Sequence, residues 1–305
     1  MVFHRPASYN EREREADNRR LSERCEVMPT EVIERLKKTA IAVRKNLLTM
    51  IYEAKSGHPG GSLSAADLMT ALYFYELNLR PEDPHWPERD RFVLSKGHVC
   101  PVLYTCLAMR GYFPMEQLSQ LRKYGSILQG HPDMKRTPGI EISTGSLGQG
   151  ISTAAGMALG NRRKGNPGRV FCMLGDGECN EGQVWEAFEA ASKYELGNLV
   201  VIIDHNQLQN DGCCEEIMPP GSLHAKLEAF GFLTYTIDGH DMEAIVNTLD
   251  KIRNAGDPRP KAIIAKTIKG RGVSFMEGAV AWHGQAPNDA EYEKAMAEIE
   301  GGLEA

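Results

Sequence analysis

Apolar residues along this chain fall into two alternating patterns, short unbroken runs and longer stretches at helical spacing. Arg91-Phe92-Val93-Leu94, Val170 to Leu174, Leu199 to Ile203, Leu233 to Ile237 and Ala262 to Thr267 are runs of strand length, bounded by polar or turn-forming residues. Between them lie helical patterns: Val32, Ile33, Leu36, Ala40, Val43 and Leu47, then Ala66, Leu68, Leu72 and Phe74, then Val102, Leu103 and Leu107. Further helices are read over Ile151 to Leu159, through Val184, Trp185, Phe188, Ala191 and Tyr194, and over Leu223 to Phe230 and Ile245 to Ile252. Thr30 is placed to cap the first of them. Strands alternating with helices predict an α/β fold, a doubly wound parallel sheet flanked by helices. Residues 1–28 are polar and rich in Arg and Glu and form an N-terminal extension. Residues 29–305 show no internal repeat or linker and form one domain.

The stretch Arg169–Asn206 carries the strongest chemical signal. One apolar run stops at Gly175-Asp176-Gly177, a helical pattern follows, and the next run ends at Asp204-His205-Asn206. A right-handed crossover makes the two strands parallel, so Asp176 and Asn206 share the carboxyl edge where open α/β sheets bind ligands. A carboxylate and an amide oxygen are hard ligands suited to Mg²⁺ or Ca²⁺, completed by water and phosphate oxygens. The flanking glycines let backbone approach a diphosphate, and the helix start offers N–H donors. A lone Gly-Asp-Gly is also an ordinary strand-to-helix turn; the Asn one strand–helix–strand unit later favours the metal reading.

Gly-Asp-Gly followed by Asn at this distance is the thiamine diphosphate signature, and the flanks GDGECNEGQVWEA and DHNQLQNDG resemble transketolase. The resemblance runs from about Glu31 to the C-terminus and implies the diphosphate-binding (PP-type) domain of that family. It implies that Asp176, Asn206 and the Leu208 carbonyl hold Mg²⁺, with Ca²⁺ a possible substitute, and that Gly175, Gly177 and Glu178 adjoin the cofactor. His58 in SGHPGG, His98 in LSKGHV, His131 in QGHPD and His283 in WHG fall in matching segments. The family's equivalents line the substrate channel, bind donor hydroxyls and the diphosphate, and assist proton transfer, with His98 and His283 also touching cofactor. Gly145, Ser146 and Leu147 match the loop whose backbone meets the aminopyrimidine and diphosphate, although many relatives carry proline at the position of Ser146. Glu181 and Glu186 match glutamates of a proton relay between the two active sites of a dimer. Lys266 and Lys269 read as solvated, with contact to phosphate the alternative, and His4, His85, His205, His224 and His240 as structural.

In this family the glutamate that activates the aminopyrimidine and the arginines that clamp sugar phosphate come from a following pyrimidine domain. The chain ends at Gly301-Gly302-Leu303-Glu304-Ala305 without room for it. The expectation is the N-terminal subunit of a split transketolase, moving a two-carbon ketol unit between sugar phosphates. A separate pyrimidine-domain subunit would complete it in an α₂β₂ assembly. Other readings stay open: a ketol transferase for an unusual sugar, a 2-oxo acid dehydrogenase α chain, or a non-catalytic cofactor-binding module. A net charge of −6 without a basic run argues against nucleic-acid binding, and no apolar run is long enough for a membrane span. Seven cysteines without a CxxC pair suit a reducing, cytoplasmic setting.

Overall fold

A computed structural model describes residues 29–302; the N-terminal extension, residues 1–28, and residues 303–305 lie outside the described residues. The chain opens with helix α1 (Pro29–Ala54), followed by α2 (Pro59–Ser64) and α3 (Ala66–Ala71), which runs into a single π turn over Leu72–Glu76. Because α1 begins at Pro29, Thr30 lies inside its first turn rather than capping it. Strand β1 (Arg91–Leu94), α4 (Cys100–Met109) and α5 (Gln149–Lys164) come next. The remainder runs β2 (Val170–Gly175), α6 (Gly182–Lys193), β3 (Leu199–His205), α7 (Cys214–Ile217), α8 (Leu223–Ala229), β4 (Leu233–Asp238), α9 (Met242–Asn254), β5 (Lys261–Lys266) and α10 (Asp289–Gly301). All five strands are parallel, in the order β1-β2-β3-β5-β4.

The unbroken apolar runs follow from this architecture, because a parallel sheet covered on both faces buries every residue of its central strands. Phe171, Met173, Val200, Ile202 and Ile263 point to one face and pack with α1, α3, α4 and α9. Val170, Cys172, Leu174, Val201 and Ile203 point to the other and pack with α5, α6 and α8. Each predicted strand is present to within a residue or two at its ends. Helix α10 escaped the apolar pattern, since it buries only Ala295 and Ile299 deeply. Its start was marked in the sequence by Asn288 and Glu291, which form a reciprocal capping box.

The amino edge of the sheet is tied by buried charge. Glu76 accepts from Arg169 Nη1 at 2.5 Å and from Arg253 Nη2, joining the end of the π turn to the start of β2 and the end of α9. Asp90 adds bonds from the Arg169 amide at 2.7 Å and its Nη2 at 2.8 Å. Removing one partner of a buried ion pair leaves the others uncompensated, typically at about 3–5 kcal/mol. Glu76→Ala is therefore expected to lower unfolding free energy by about 3 kcal/mol in urea titration, whereas a loss under about 1 kcal/mol would show that the arginines find other partners.

Candidate active site

The carboxyl edge gathers residues far apart in sequence. β2 ends at Gly175, which pairs with Asp204 of β3, and His205 pairs with Lys266 of β5, so the segments leaving these strands emerge side by side. Asp204 is completely buried, and an unpaired carboxylate there would be prohibitive. It is met by Lys96 Nζ from the segment after β1, by Ser64 Oγ of α2 at 2.6 Å, and by Thr267 Oγ1 after β5. Burial pushes this carboxyl up, but the Lys96 ammonium and the three hydrogen bonds outweigh it and hold it below the ordinary value, ionised at neutral pH. Four separate segments are thus fixed around one charge.

Asp176 follows β2 and is 2% exposed. Its carboxylate accepts from Gly177 N at 2.8 Å, Gln207 N at 2.5 Å and His205 Nδ1 at 3.1 Å. A carboxylate has about four lone-pair sites, so one remains for a cation. Asn206 Oδ1 accepts from Leu208 N at 3.1 Å, and its Nδ2 reaches Asp204 at 3.4 Å, which orients the amide. The Leu208 carbonyl accepts from Lys269 Nζ at 3.3 Å. Among the described residues no group of three or more His, Cys, Asp or Glu could hold a metal by itself. One carboxylate, one amide oxygen and one carbonyl therefore fit only a hard cation whose shell a ligand's phosphate oxygens complete.

Three of the four predicted histidines meet. Gly60 of α2 permits their meeting, since a Cβ there would stand 2.8 Å from the Trp282 carbonyl, and its own carbonyl accepts from Gly270 N at 2.9 Å. With those segments locked, His58 packs against His98 and His283 at ring-centroid distances of 5.1 and 5.5 Å, and His98 stacks on His283 at 5.3 Å. Burial first, then neighbouring positive charge, lowers all three: His58 and His283 to about 4 and His98 to about 2. They are neutral imidazoles at pH 7, able to donate and accept. His131 stands apart on an exposed loop, its ring against Gly145, where φ is +137° and a Cβ would come within 2.8 Å of the imidazole.

Other expected residues divide. Glu178 spends its buried carboxylate inside the protein, on Ser95 Oγ at 2.5 Å, Gly148 N at 2.9 Å and Gly175 N at 3.1 Å, pinning the loop of Gly145, Ser146 and Leu147 to the sheet edge. Ser146 and Leu147 are exposed. Glu181 and Glu186 are exposed beside and on α6; the Glu181 amide donates to the Glu178 carbonyl at 3.0 Å, but neither carboxylate forms a hydrogen bond with the other expected site residues. Lys266 is exposed as expected, but Lys269 is not solvated: it is 2% exposed. Its Nζ contacts His283 Nδ1 at 2.8 Å and the Gln209 carbonyl at 3.2 Å, and burial, with Lys96 nearby, brings its pKa down to about 8. Lys96 was missed altogether. Its only signal was position, directly after β1 and beside His98. Three of the seven buried polar atoms without partners among the described residues lie here, namely His58 Nδ1, Thr144 Oγ1 and Gln209 Nε2, and they leave hydrogen-bonding positions open at the site.

Residues 36–301 match the family model for the transketolase, thiamine diphosphate binding domain. The chain belongs to the transketolase family. It is 44% identical over 265 residues to the 6-deoxy-6-sulfo-D-fructose transketolase subunit SqwG of Clostridium sp. (strain MSTE9), covering 87% of this chain and 96% of that protein. It is 41% identical to an apulose-4-phosphate transketolase subunit of Phocaeicola vulgatus, covering 84% of this chain and 90% of that one. Mouse transketolase is 41% identical over 254 residues, 83% of this chain but 40% of the mouse protein. Transketolase from Leishmania mexicana superposes with a TM-score of 0.82 at 32% identity, over 87% of this chain and 41% of that one. This transketolase domain thus spans about two fifths of the mouse and Leishmania enzymes and nearly all of the two bacterial subunits.

The depressed histidines carry a stability consequence for the transketolase domain. Their contribution is fully present above the unfolded value of 6.5 and is lost as pH falls through about 4. The urea midpoint of the cofactor-free chain is expected to fall across that window, and to fall less steeply in the His58→Asn/His283→Asn double variant. Parallel slopes would show that the histidines are solvated. Asp176→Ala is expected to abolish Mg²⁺-dependent binding of thiamine diphosphate, read by calorimetric titration; unchanged affinity would remove Asp176 from the metal site.

Proposed function

We propose that this chain is the diphosphate-binding subunit of a split transketolase, transferring a two-carbon ketol unit from a ketose phosphate to an aldose together with a separate pyrimidine-domain subunit. The observation that carries the reading is the packing of three neutral histidines within about 5.5 Å of one another at the sheet edge that also holds Asp176 and Asn206. A polyol substrate offers many hydroxyls, and neutral imidazoles both donate to and accept from them. A 2-oxo acid offers few.

Asp176, Asn206 and the Leu208 carbonyl would hold Mg²⁺, or Ca²⁺ in its place, against the diphosphate of the cofactor. Bound thiamine diphosphate supplies a nucleophilic carbon and an electron sink for the carbon–carbon bond that breaks and forms. Lys269 and Lys96 would bring buried positive charge towards the diphosphate, His98 and His283 would serve both cofactor and sugar, and His58 and His131 would address sugar hydroxyls and protons. Gly145, Ser146 and Leu147 offer backbone groups to the cofactor ring. Glu181, just before α6, and Glu186, on its exposed side, would serve a proton relay only across a subunit contact, in keeping with an α₂β₂ assembly. Coverage of nearly the full length of two relatives named as transketolase subunits supports the split arrangement, and the free thiols of the described cysteines suit a cytoplasmic enzyme. Among the described residues no helix is long and apolar enough to cross a membrane.

Ketol transfer from xylulose 5-phosphate to ribose 5-phosphate, with thiamine diphosphate and Mg²⁺, is expected from a mixture with the partner and not from this chain alone. Activity of the chain alone would overturn the split reading. A second donor is favoured by the names of the two bacterial relatives, which specify 6-deoxy-6-sulfo-D-fructose and apulose 4-phosphate. If xylulose 5-phosphate is silent while either of those is turned over, the enzyme belongs to a specialised sugar route rather than to pentose phosphate metabolism. Turnover of 2-oxo acids with no ketose active would sink the transketolase reading.

A further inference from the structure

His240, which the sequence leaves among the structural histidines, is tied into a buried charged group that the scheme above does not use. Arg44 of α1 donates to both oxygens of Asp67 of α3, Nη1 at 2.8 Å and Nη2 at 2.6 Å, and their side chains are only 9% and 10% exposed. His240 Nδ1 lies 2.8 Å from Asp67 Oδ2, and the Ile268 amide donates to His240 Nε2 at 2.8 Å. Those two contacts assign the tautomer. An amide N–H can only donate, so Nε2 carries the lone pair, and Nδ1 carries the proton that goes to the carboxylate. Burial pushes the Asp67 carboxyl up, but Arg44 and His240 outweigh it and hold the carboxyl well below its ordinary value, so this acceptor is ionised.

The amide held in this way opens the turn that carries Lys269. Ile268 keeps 39% of its surface exposed, so burial of its own side chain does little to fix the turn. The backbone is gripped instead. Gly239 N donates to the Lys266 carbonyl at 2.7 Å, His240 accepts from Ile268 N, and Arg44 Nε donates to the Arg271 carbonyl at 3.3 Å. Lys269 leaves the chain between those grips, and its Nζ reaches the Leu208 and Gln209 carbonyls and His283 Nδ1. An ammonium on a flexible four-carbon stem is aimed by the backbone that carries it. We propose that His240 is a positioning residue for the cofactor site: with Asp67 and Arg44 it fixes the turn Ile268–Arg271, and through that turn it aims the Lys269 ammonium at the diphosphate. The inference rests on the role proposed above for Lys269 and adds the residues that hold it in place.

The test is a double-mutant cycle on the full chain, reading the dissociation constants of thiamine diphosphate and of inorganic pyrophosphate with Mg²⁺ by calorimetric titration. His240→Asn keeps a donor for Asp67 but is too short to accept from Ile268, whereas His240→Gln brings an amide oxygen close to the Nε2 position. His240→Asn is expected to weaken both ligands roughly 10-fold, the worth of one hydrogen bond to a charged group, and His240→Gln to recover much of that loss. In a Lys269→Met background, His240→Asn is expected to change either affinity by less than about twofold, because its effect runs through the ammonium already removed. Additive losses in the cycle, equal losses in the Asn and Gln variants, or no loss in either would overturn the proposal. If Lys269→Met alone leaves pyrophosphate binding unchanged, the role given to Lys269 fails and the proposal falls with it. If the cycle shows coupling while the complex with the partner transfers no ketol unit, the activity reading fails and the positioning role stands. A second arm needs no variant: in ¹⁵N-labelled wild type at mildly alkaline pH, NMR is expected to show the His240 proton on Nδ1 and a scalar coupling from Ile268 N to His240 Nε2. A proton on Nε2 overturns the proposal whatever the variants do.

Discussion

The buried pair of Lys96 and Asp204 is the constraint on which the rest of the site depends. A carboxylate with no exposure is tolerable only if its charge is matched and its lone pairs are filled, and here each partner comes from a different part of the chain: Lys96 after β1, Ser64 at the end of α2, Thr267 after β5. Satisfying that one charge fixes the relative positions of the segments carrying His98, His58 and Lys269. The same carboxylate touches the Asn206 amide, so the segment carrying Asn206 is held by the network that holds the histidine-bearing segments. Buried ionic networks contribute little net stability against an apolar alternative; their value here is a single arrangement of loops that have little apolar surface of their own.

Around that pair, backbone amides do much of the orientation. Asp176 is gripped by the amides of Gly177 and Gln207, and Glu178 by those of Gly148 and Gly175. Both carboxylates are placed by atoms that any sequence supplies, provided the chain turns as it does. The difference between them is what remains free. Asp176 keeps coordination capacity beside an amide oxygen and a carbonyl, whereas Glu178 is consumed in joining three segments. Two acidic residues close together in the chain therefore divide into a candidate ligand and a tether, and the division is set by the strand ends against which each lies.

The histidines complete the picture through what burial does to them. Packed ring against ring and near two lysines, they lose affinity for protons and remain neutral at physiological pH. A neutral group of this kind can both donate hydrogen bonds and accept them.

The sequence by itself determined the parallel sheet, through five apolar runs that two-sided burial requires, and the placement of Asp176 and Asn206 at one edge, through the strand–helix–strand unit between them. It also marked the loops bearing His58, His98, His131 and His283, because each lies among glycines or prolines beside an element end. What pattern could not carry was long-range proximity. That His58, His98 and His283 form one group while His131 stands outside it, that Lys269 is buried rather than solvated, and that Lys96 answers Asp204 are consequences of how strand ends stack in register and how Gly60 lets two loops close together. Helix α10 was missed for a related reason: its deep burial rests on two residues, too few to imprint a period. Local periodicity records which face of an element is buried, and only the packed sheet decides which charged groups then face each other.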